Sequence, residues 1–175
     1  MPEKVSLYRV FMASPGDVIE ERAVVEEVLK EWNLQHGNDA KARVELVSWH
    51  THSYPATGDR PQALINKQAL NSSDIVVGFF WSRFGSPTGV ALSGTVEEIR
   101  EGIAQKKPVM VYFSKRTPAA RPKADEQAKI DQFKADFGRQ ALFWEYSDIT
   151  SFEKAFRNHL AQVMSKLIQR TSRRK

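Results

Sequence analysis

"SSDIVVGFFWSRFGSPTGVALSGTVEEI", residues 72–99, decides how this chain is read. Its first half holds "DIVVGFFW" (74–81), the most apolar strand pattern in the sequence. A strand with so few polar residues is expected to be covered on both faces, as the central strand of a parallel sheet is. A loop from Ser82 to Ser93 follows, rich in Gly, Ser and Pro. A helix then opens, from about Thr95 to Gln105, with the adjacent carboxylates Glu97 and Glu98 in its first turns.

Working outward, "VSLYRVFMA" predicts a strand over Leu7 to Ala13. In "SPGD", Ser14 suits a helix cap, Pro15 the first helical turn and Asp17 the positive end of a helix dipole. Val18, Val25, Leu29 and Trp32 recur at helical spacing, which predicts an amphipathic helix to about Leu34. "ARVELVSW" reads as a second strand ending near Trp49. A polar loop with Pro55, Gly58 and Pro61 leads to a short helix around Gln62 to Leu70. After the central segment come a strand in "KPVMVYFS", a linker from Lys115 to Lys123 and a polar helix from about Ala124 to Phe137. "ALFWEY" is a fifth strand, and a long helix over Ile149 to Ile168 closes the pattern.

Strand and helix therefore alternate five times. Parallel strands need crossover connections, so the pattern predicts an α/β fold with helices on both faces of the sheet. Five strands in 175 residues suit the flavodoxin-like order 2-1-3-4-5. The expectation is a single domain over residues 1–170. Residues 171–175 read as a basic, solvated tail, or as the start of a chain that continues into a further domain.

Composition narrows the function classes. Hydrophobic content of 41% and charged content of 27% describe an ordinary globular chain. No apolar run approaches the ~20 residues that span a bilayer, and the N-terminus lacks a signal-peptide pattern. With no cysteine, disulfides, thiolate zinc sites and a cysteine nucleophile are excluded, which suits a cytoplasmic location. The net charge of +5 comes from 26 Lys and Arg against 21 Asp and Glu. Part of the excess sits in "QRTSRRK" and "KRTPAARPK", without interleaved aromatics, which argues against a nucleic-acid surface. His50 and His52 are the nearest histidine pair, with no third ligand at metal-site spacing.

In a doubly wound sheet, ligands bind beyond the carboxyl ends of the strands, where strand order switches. The loops after the first three strands converge there, and they supply the candidates. Ser14, Pro15 and Gly16 suit phosphate or ribose at a helix start. Trp49 and Tyr54 are candidate walls, and Phe80 and Trp81 are core or stacking residues. Arg83 could pair with a diphosphate, and Ser93 and Gly94 flank the helix start. Asp74, at the opposite end of its strand, reads as structural. For the two glutamates there are two readings. Thr95 and Glu98 match the capping box T-x-x-E. Alternatively Val96, Ile99 and Ile103 form a buried stripe that leaves both glutamates facing a cleft. Periodicity does not choose between Glu97 and Glu98.

"ALNSSDIVVGFF", followed by "SGTVEEIREGIAQKKPVMVYF", resembles the core of the nucleoside 2-deoxyribosyltransferase-like proteins, a superfamily that shares its fold with TIR domains. "YRVFMASPGDVIEER" is similar to the opening of a bacterial TIR-like domain family. Together these likenesses cover Tyr8 to Ser114. They imply that Glu98, the acidic residue just before Ile99, is the catalytic carboxylate acting on an N-glycosidic bond. They imply NAD as substrate with no further cofactor, self-association through TIR-like contacts, and a role as an effector domain in bacterial defence or signalling. A nucleoside N-glycosidase or deoxyribosyltransferase, and a non-catalytic assembly module, are the alternatives. Two features depart from these families: "LSG" stands where many deoxyribosyltransferases have Asp-Ser-Gly, and no tryptophan–cysteine pair precedes the glutamate.

Overall fold

A computed structural model describes residues 2–47 and 54–173. Strand β1 (Ser6–Ala13) leads into helix α1 (Ile19–His36) and strand β2 (Ala42–Val47). Helix α2 (Pro61–Ile65) runs on as a π-helical turn, Asn66–Leu70. Then come β3 (Ile75–Phe80), α3 (Gly94–Ala104) and β4 (Val109–Ser114). Helix α4 (Ala124–Gly138), β5 (Trp144–Tyr146) and α5 (Ile149–Ser172) complete the order. All four strand pairings are parallel, and the sheet runs β2-β1-β3-β4-β5. This is the flavodoxin-like order expected from the sequence.

Burial follows the period of two that a strand imposes on its side chains. Val10, Met12, Ile75, Val77 and Phe79 point to one face, where they meet Val25, Leu29 and Trp32 of α1 and Phe152, Phe156 and Leu160 of α5. Phe11, Ala13, Val76, Phe80, Val111 and Phe113 point to the other, against α2, α3 and α4. All six residues of β3 are buried, because helices cover this strand on both sides. Helix α3 packs closely on it at Gly78 and Gly102. A Cβ at Gly78 would sit 2.6 Å from Ile99 Cδ1, so the glycine leaves room for that side chain.

Several boundaries differ from the sequence reading, each for a packing reason. Helix α1 starts at Ile19, with Val18 at its N-cap and no side-chain cap, so Ser14 caps nothing. Asp17 is drawn instead to the loop after β3, as described below. Edge strand β5 keeps only three residues, since it has one neighbour, β4, to pair with. Helix α5 begins with a capping box between Asp148 and Ser151 and runs to Ser172. Its far end is held by Tyr8, whose hydroxyl lies 3.0 Å from Thr171 Oγ1, so the helix extends two residues into the expected tail. Ile103, expected in the buried stripe of α3, is about half exposed (48%). Asp74 is structural as expected. Its Oδ2 accepts from Arg9 N at 2.8 Å and its own N–H donates to Arg9 O, which ties β1 to the start of β3. The expected end of β2 near Trp49 lies outside the described residues. Among the described residues, no helix is long and apolar enough to cross a membrane.

Candidate active site

Strand order reverses between β1 and β3, and the crevice beyond their carboxyl ends is where such a sheet takes a ligand. A cleft of about 790 Å³ opens there. It is lined by Ser14, Pro15 and Gly16 after β1, Gln62 and Ile65 of α2, Ser82, Arg83 and Gly85 after β3, and Gly94, Thr95 and Glu98 of α3. Asp17 stitches the two central loops together. Its Oδ2 accepts from Ser82 N at 2.9 Å, Ser82 Oγ at 2.8 Å and Arg83 N at 3.1 Å. This one carboxylate thus sets the separation of the β1 and β3 loops at the switch point.

Helix α3 positions the glutamates. Its N-cap is Ser93, whose Oγ accepts from Val96 N at 3.2 Å. The helix therefore starts two residues earlier than the capping-box reading required. Thr95 is not the cap, and Glu98 lies beyond the first turn, where it bonds no free amide. The capping explanation of Glu98 is removed by this geometry. Both glutamates are nonetheless buried, Glu97 at 9% exposed and Glu98 at 8%, and of the two expected to face a cleft only Glu98 lines it.

Their partners separate them. Glu97 is fully engaged: Arg60 forks onto it through Nη1 and Nη2 at 2.9 and 2.7 Å, Thr88 Oγ1 donates at 2.5 Å, and Asn66 Nδ2 at 3.2 Å. Burial pushes its carboxyl up, but the bonds from Arg60 and Thr88 and the Arg60 charge outweigh it, and Glu97 stays below the usual carboxylate range. Glu98 lines the cleft and has one hydrogen bond among the described residues, from Gln62 Nε2 to Oε1 at 2.8 Å. Burial pushes it up to about 8; the Gln62 bond opposes that, and the neighbouring Glu97 charge adds to it. Gln62 is kept in place by Asn66 Oδ1 at 3.1 Å and by the lack of a side chain at Gly94. A Cβ there would meet Gln62 Oε1 at 2.6 Å.

Glu97→Gln is accordingly expected to lower stability by roughly 1–3 kcal/mol, the scale of a charged hydrogen bond partly lost in a buried place. Turnover per folded molecule should stay near the parent's. Thermal melts beside an activity assay check this, and a collapse of turnover would mean that the two glutamates share one role.

Of the other sequence candidates, Ser14, Pro15, Gly16, Arg83 and Gly94 line the cleft with Glu98. Ser93 does not; it is fully buried as the helix cap. Trp81 does not line it either. Its Nε1 donates to Arg116 O at 2.9 Å, the Arg116 guanidinium lies 4.3 Å from its ring centroid, and it flanks a separate cavity of about 310 Å³. Trp49, His50 and His52 lie outside the described residues. Gln62, Arg60 and Asp17's bridging role were not legible in the sequence, because polar residues in a loop or a short helix carry no periodic signal. Arg22, Arg121 and Lys123 also line the cleft and were unmarked for the same reason.

Comparison with known proteins adds a family and no activity. The family described as "Domain of unknown function (DUF4062)" matches residues 9–161. No curated protein matches the chain. A crystal structure of S. aureus homoserine dehydrogenase is similar at 14% identity and a TM-score of 0.34, covering 83% of this chain and 33% of that one. The chain thus spans about a third of that protein's length.

Proposed function

The chain belongs to the DUF4062 family, and we propose that it cleaves the N-glycosidic bond of a nucleotide, with NAD+ as substrate and Glu98 as the essential carboxylate. The observation that carries the reading is Glu98 itself. It is a nearly buried carboxyl with a single amide partner, placed in a cleft at the topological switch point. A carboxylate with perturbed protonation in a concave site is a candidate for chemistry rather than for structure.

In NAD+ cleavage the electron pair of the C1′–N bond goes to the nicotinamide ring, which departs neutral and needs no acid. The ribosyl carbon is left oxocarbenium-like. An ionised Glu98 beside it stabilises that charge, or adds to it as an ester whose C1′–O bond breaks when water attacks; the water oxygen bonds to C1′ and gives up its proton to solvent. The products are nicotinamide and ADP-ribose. The substrate's own cationic ring favours ionisation of Glu98, so binding and deprotonation support each other.

One observation favours a second reading. With its carboxyl raised to about 8, Glu98 holds a proton at neutral pH and could donate it to the base of an ordinary nucleoside as that base leaves. The pH profile decides between them. If Glu98 acts as the anion, kcat/KM rises with pH and levels off above about 8; if it acts as the acid, kcat/KM falls through the same region. Incubation with NAD+ and a nucleoside panel, read by mass spectrometry, gives the substrate. These assays belong at high protein concentration, since self-association and a place in a larger defence or signalling protein are part of the proposal. Intact NAD+ and intact nucleosides under those conditions would leave the fold as an assembly module.

A further inference from the structure

The cleft carries cations that the chemistry at Glu98 does not use. Arg22 of α1, Arg83 of the loop after β3, and Arg121 and Lys123 of the segment before α4 all line it. None of these four side chains makes an ion pair or hydrogen bond among the described residues. Five other arginines are paired with carboxylates: Arg9 with Glu45, Arg60 with Glu97, Arg116 with Glu20 and Glu21, Arg139 with Asp136 and Arg157 with Glu31 and Glu153. Apart from Glu98, the acids that share the cleft are already engaged. Asp125 lies 3.4 Å from Lys129 Nζ, and Glu126 accepts from Phe84 N at 2.6 Å with Lys129 Nζ at 3.7 Å. Asp17, close by, accepts the three bonds from Ser82 and Arg83.

Unpaired cations from a helix and two loops around one concavity make a field that draws anions in. Arginine is the side chain whose fork matches phosphate oxygens two at a time. The cleft also falls toward the upper end of the about 300–1,000 Å³ usual for small-molecule sites, room for more than a nucleoside. We infer that Arg22, Arg83 and Arg121 form a diphosphate subsite, so that the substrate class of this cleft is a nucleoside diphosphate or a compound built on one, and not a free nucleoside. This rests on the proposed reading of the cleft as a nucleotide site, but it concerns a different group of the ligand from the one Glu98 meets.

The test reads binding, so it stands apart from turnover. Calorimetry on the Glu98→Gln protein with ADP, inorganic pyrophosphate and adenosine is expected to rank ADP at least about tenfold tighter than adenosine, with pyrophosphate competing. Each of Arg22→Gln, Arg83→Gln and Arg121→Gln should weaken ADP about tenfold, the worth of one charge-assisted contact, and raised salt should weaken it further. Adenosine binding should be unchanged in all three, which also reports that the cleft is intact. Equal affinity for ADP and adenosine, or a triple variant that binds ADP like the parent, overturns the subsite. ADP binding that depends on the arginines in a protein that cleaves nothing keeps the subsite and removes the glycosidase reading.

Discussion

Glu98→Gln is expected to lower turnover by at least ~100-fold, the scale of losing one electrostatic contact in the transition state, while raising the stability of the fold at alkaline pH. The two effects have one cause. Gln keeps the shape of the side chain and can still meet Gln62, now 2.8 Å from Oε1, but it cannot carry the negative charge that an oxocarbenium-like centre requires. Burying that charge is what the parent protein pays for. Burial pushes its carboxyl up to about 8 in the folded state from an ordinary 4.5, so the folded state holds the proton more tightly than the unfolded chain. Below about 4.5 both states are protonated and Glu98 costs nothing. The cost grows as pH rises from there and is complete above about 8, where it reaches on the order of 5 kcal/mol. Thermal melts of parent and variant should therefore nearly coincide near pH 4.5 and separate by roughly 10–20 °C at pH 8.5. Melts that differ by the same amount at both pH values would show that the burial of charge is not what Glu98→Gln relieves. NAD+ cleavage retained in the variant, where the parent is active, would remove Glu98 from the chemistry.

Arg116→Met is expected to be the most destabilising single change at a charged residue, at about 3–5 kcal/mol. Its guanidinium reaches Glu21, which is fully buried, through Nη2 at 2.5 Å, and Glu20 through Nη1. Tyr146 donates to the same Glu21 Oε1 at 2.6 Å, and burial together with that bond raises the tyrosine well above its ordinary range. Without Arg116, Glu21 would be a buried charge held by one hydroxyl, with its Oε2 already lacking a partner among the described residues. Breaking one side of such a pair costs far more than replacing both sides with apolar groups. The double variant Glu21→Leu with Arg116→Met should therefore recover most of the loss. Urea unfolding of the three proteins checks this, and a double variant no more stable than Arg116→Met alone would sink the explanation. Turnover per folded molecule should change little, since neither residue lines the cleft with Glu98.

Much of the architecture was legible before any coordinates. The continuous apolar run at 75–80 could only be a strand covered twice, and it is central, flanked by β1 and β4. The spacing of Phe152, Phe156, Leu160 and Met164 places one buried stripe along α5. Boundaries were less legible where a polar residue had two possible uses. Ser14 and Asp17 both suit a helix start by type, yet α1 has no side-chain cap, because Asp17 is worth more as the tie between two loops. Thr95 and Glu98 match a capping pattern, yet Ser93 takes the cap, its Oγ accepting from Val96 N, and Thr95 is left inside the helix.

The amino-acid sequence by itself determined the class of fold, the order of its strands and the edge of the sheet where a site would form. These follow from hydrophobic period and crossover connections, which are local properties of the chain. Only the tertiary structure decided which glutamate is which. Glu97 and Glu98 are adjacent and chemically identical, and nothing within a few residues of them distinguishes their fates. The distinction comes from Arg60, 37 residues before Glu97, and Gln62, 36 residues before Glu98. Helix α2 brings both into contact with α3: a charged fork for one carboxyl, a neutral amide for the other. A carboxylate's charge state is set by the groups packed around it, and packing joins residues that the sequence keeps apart.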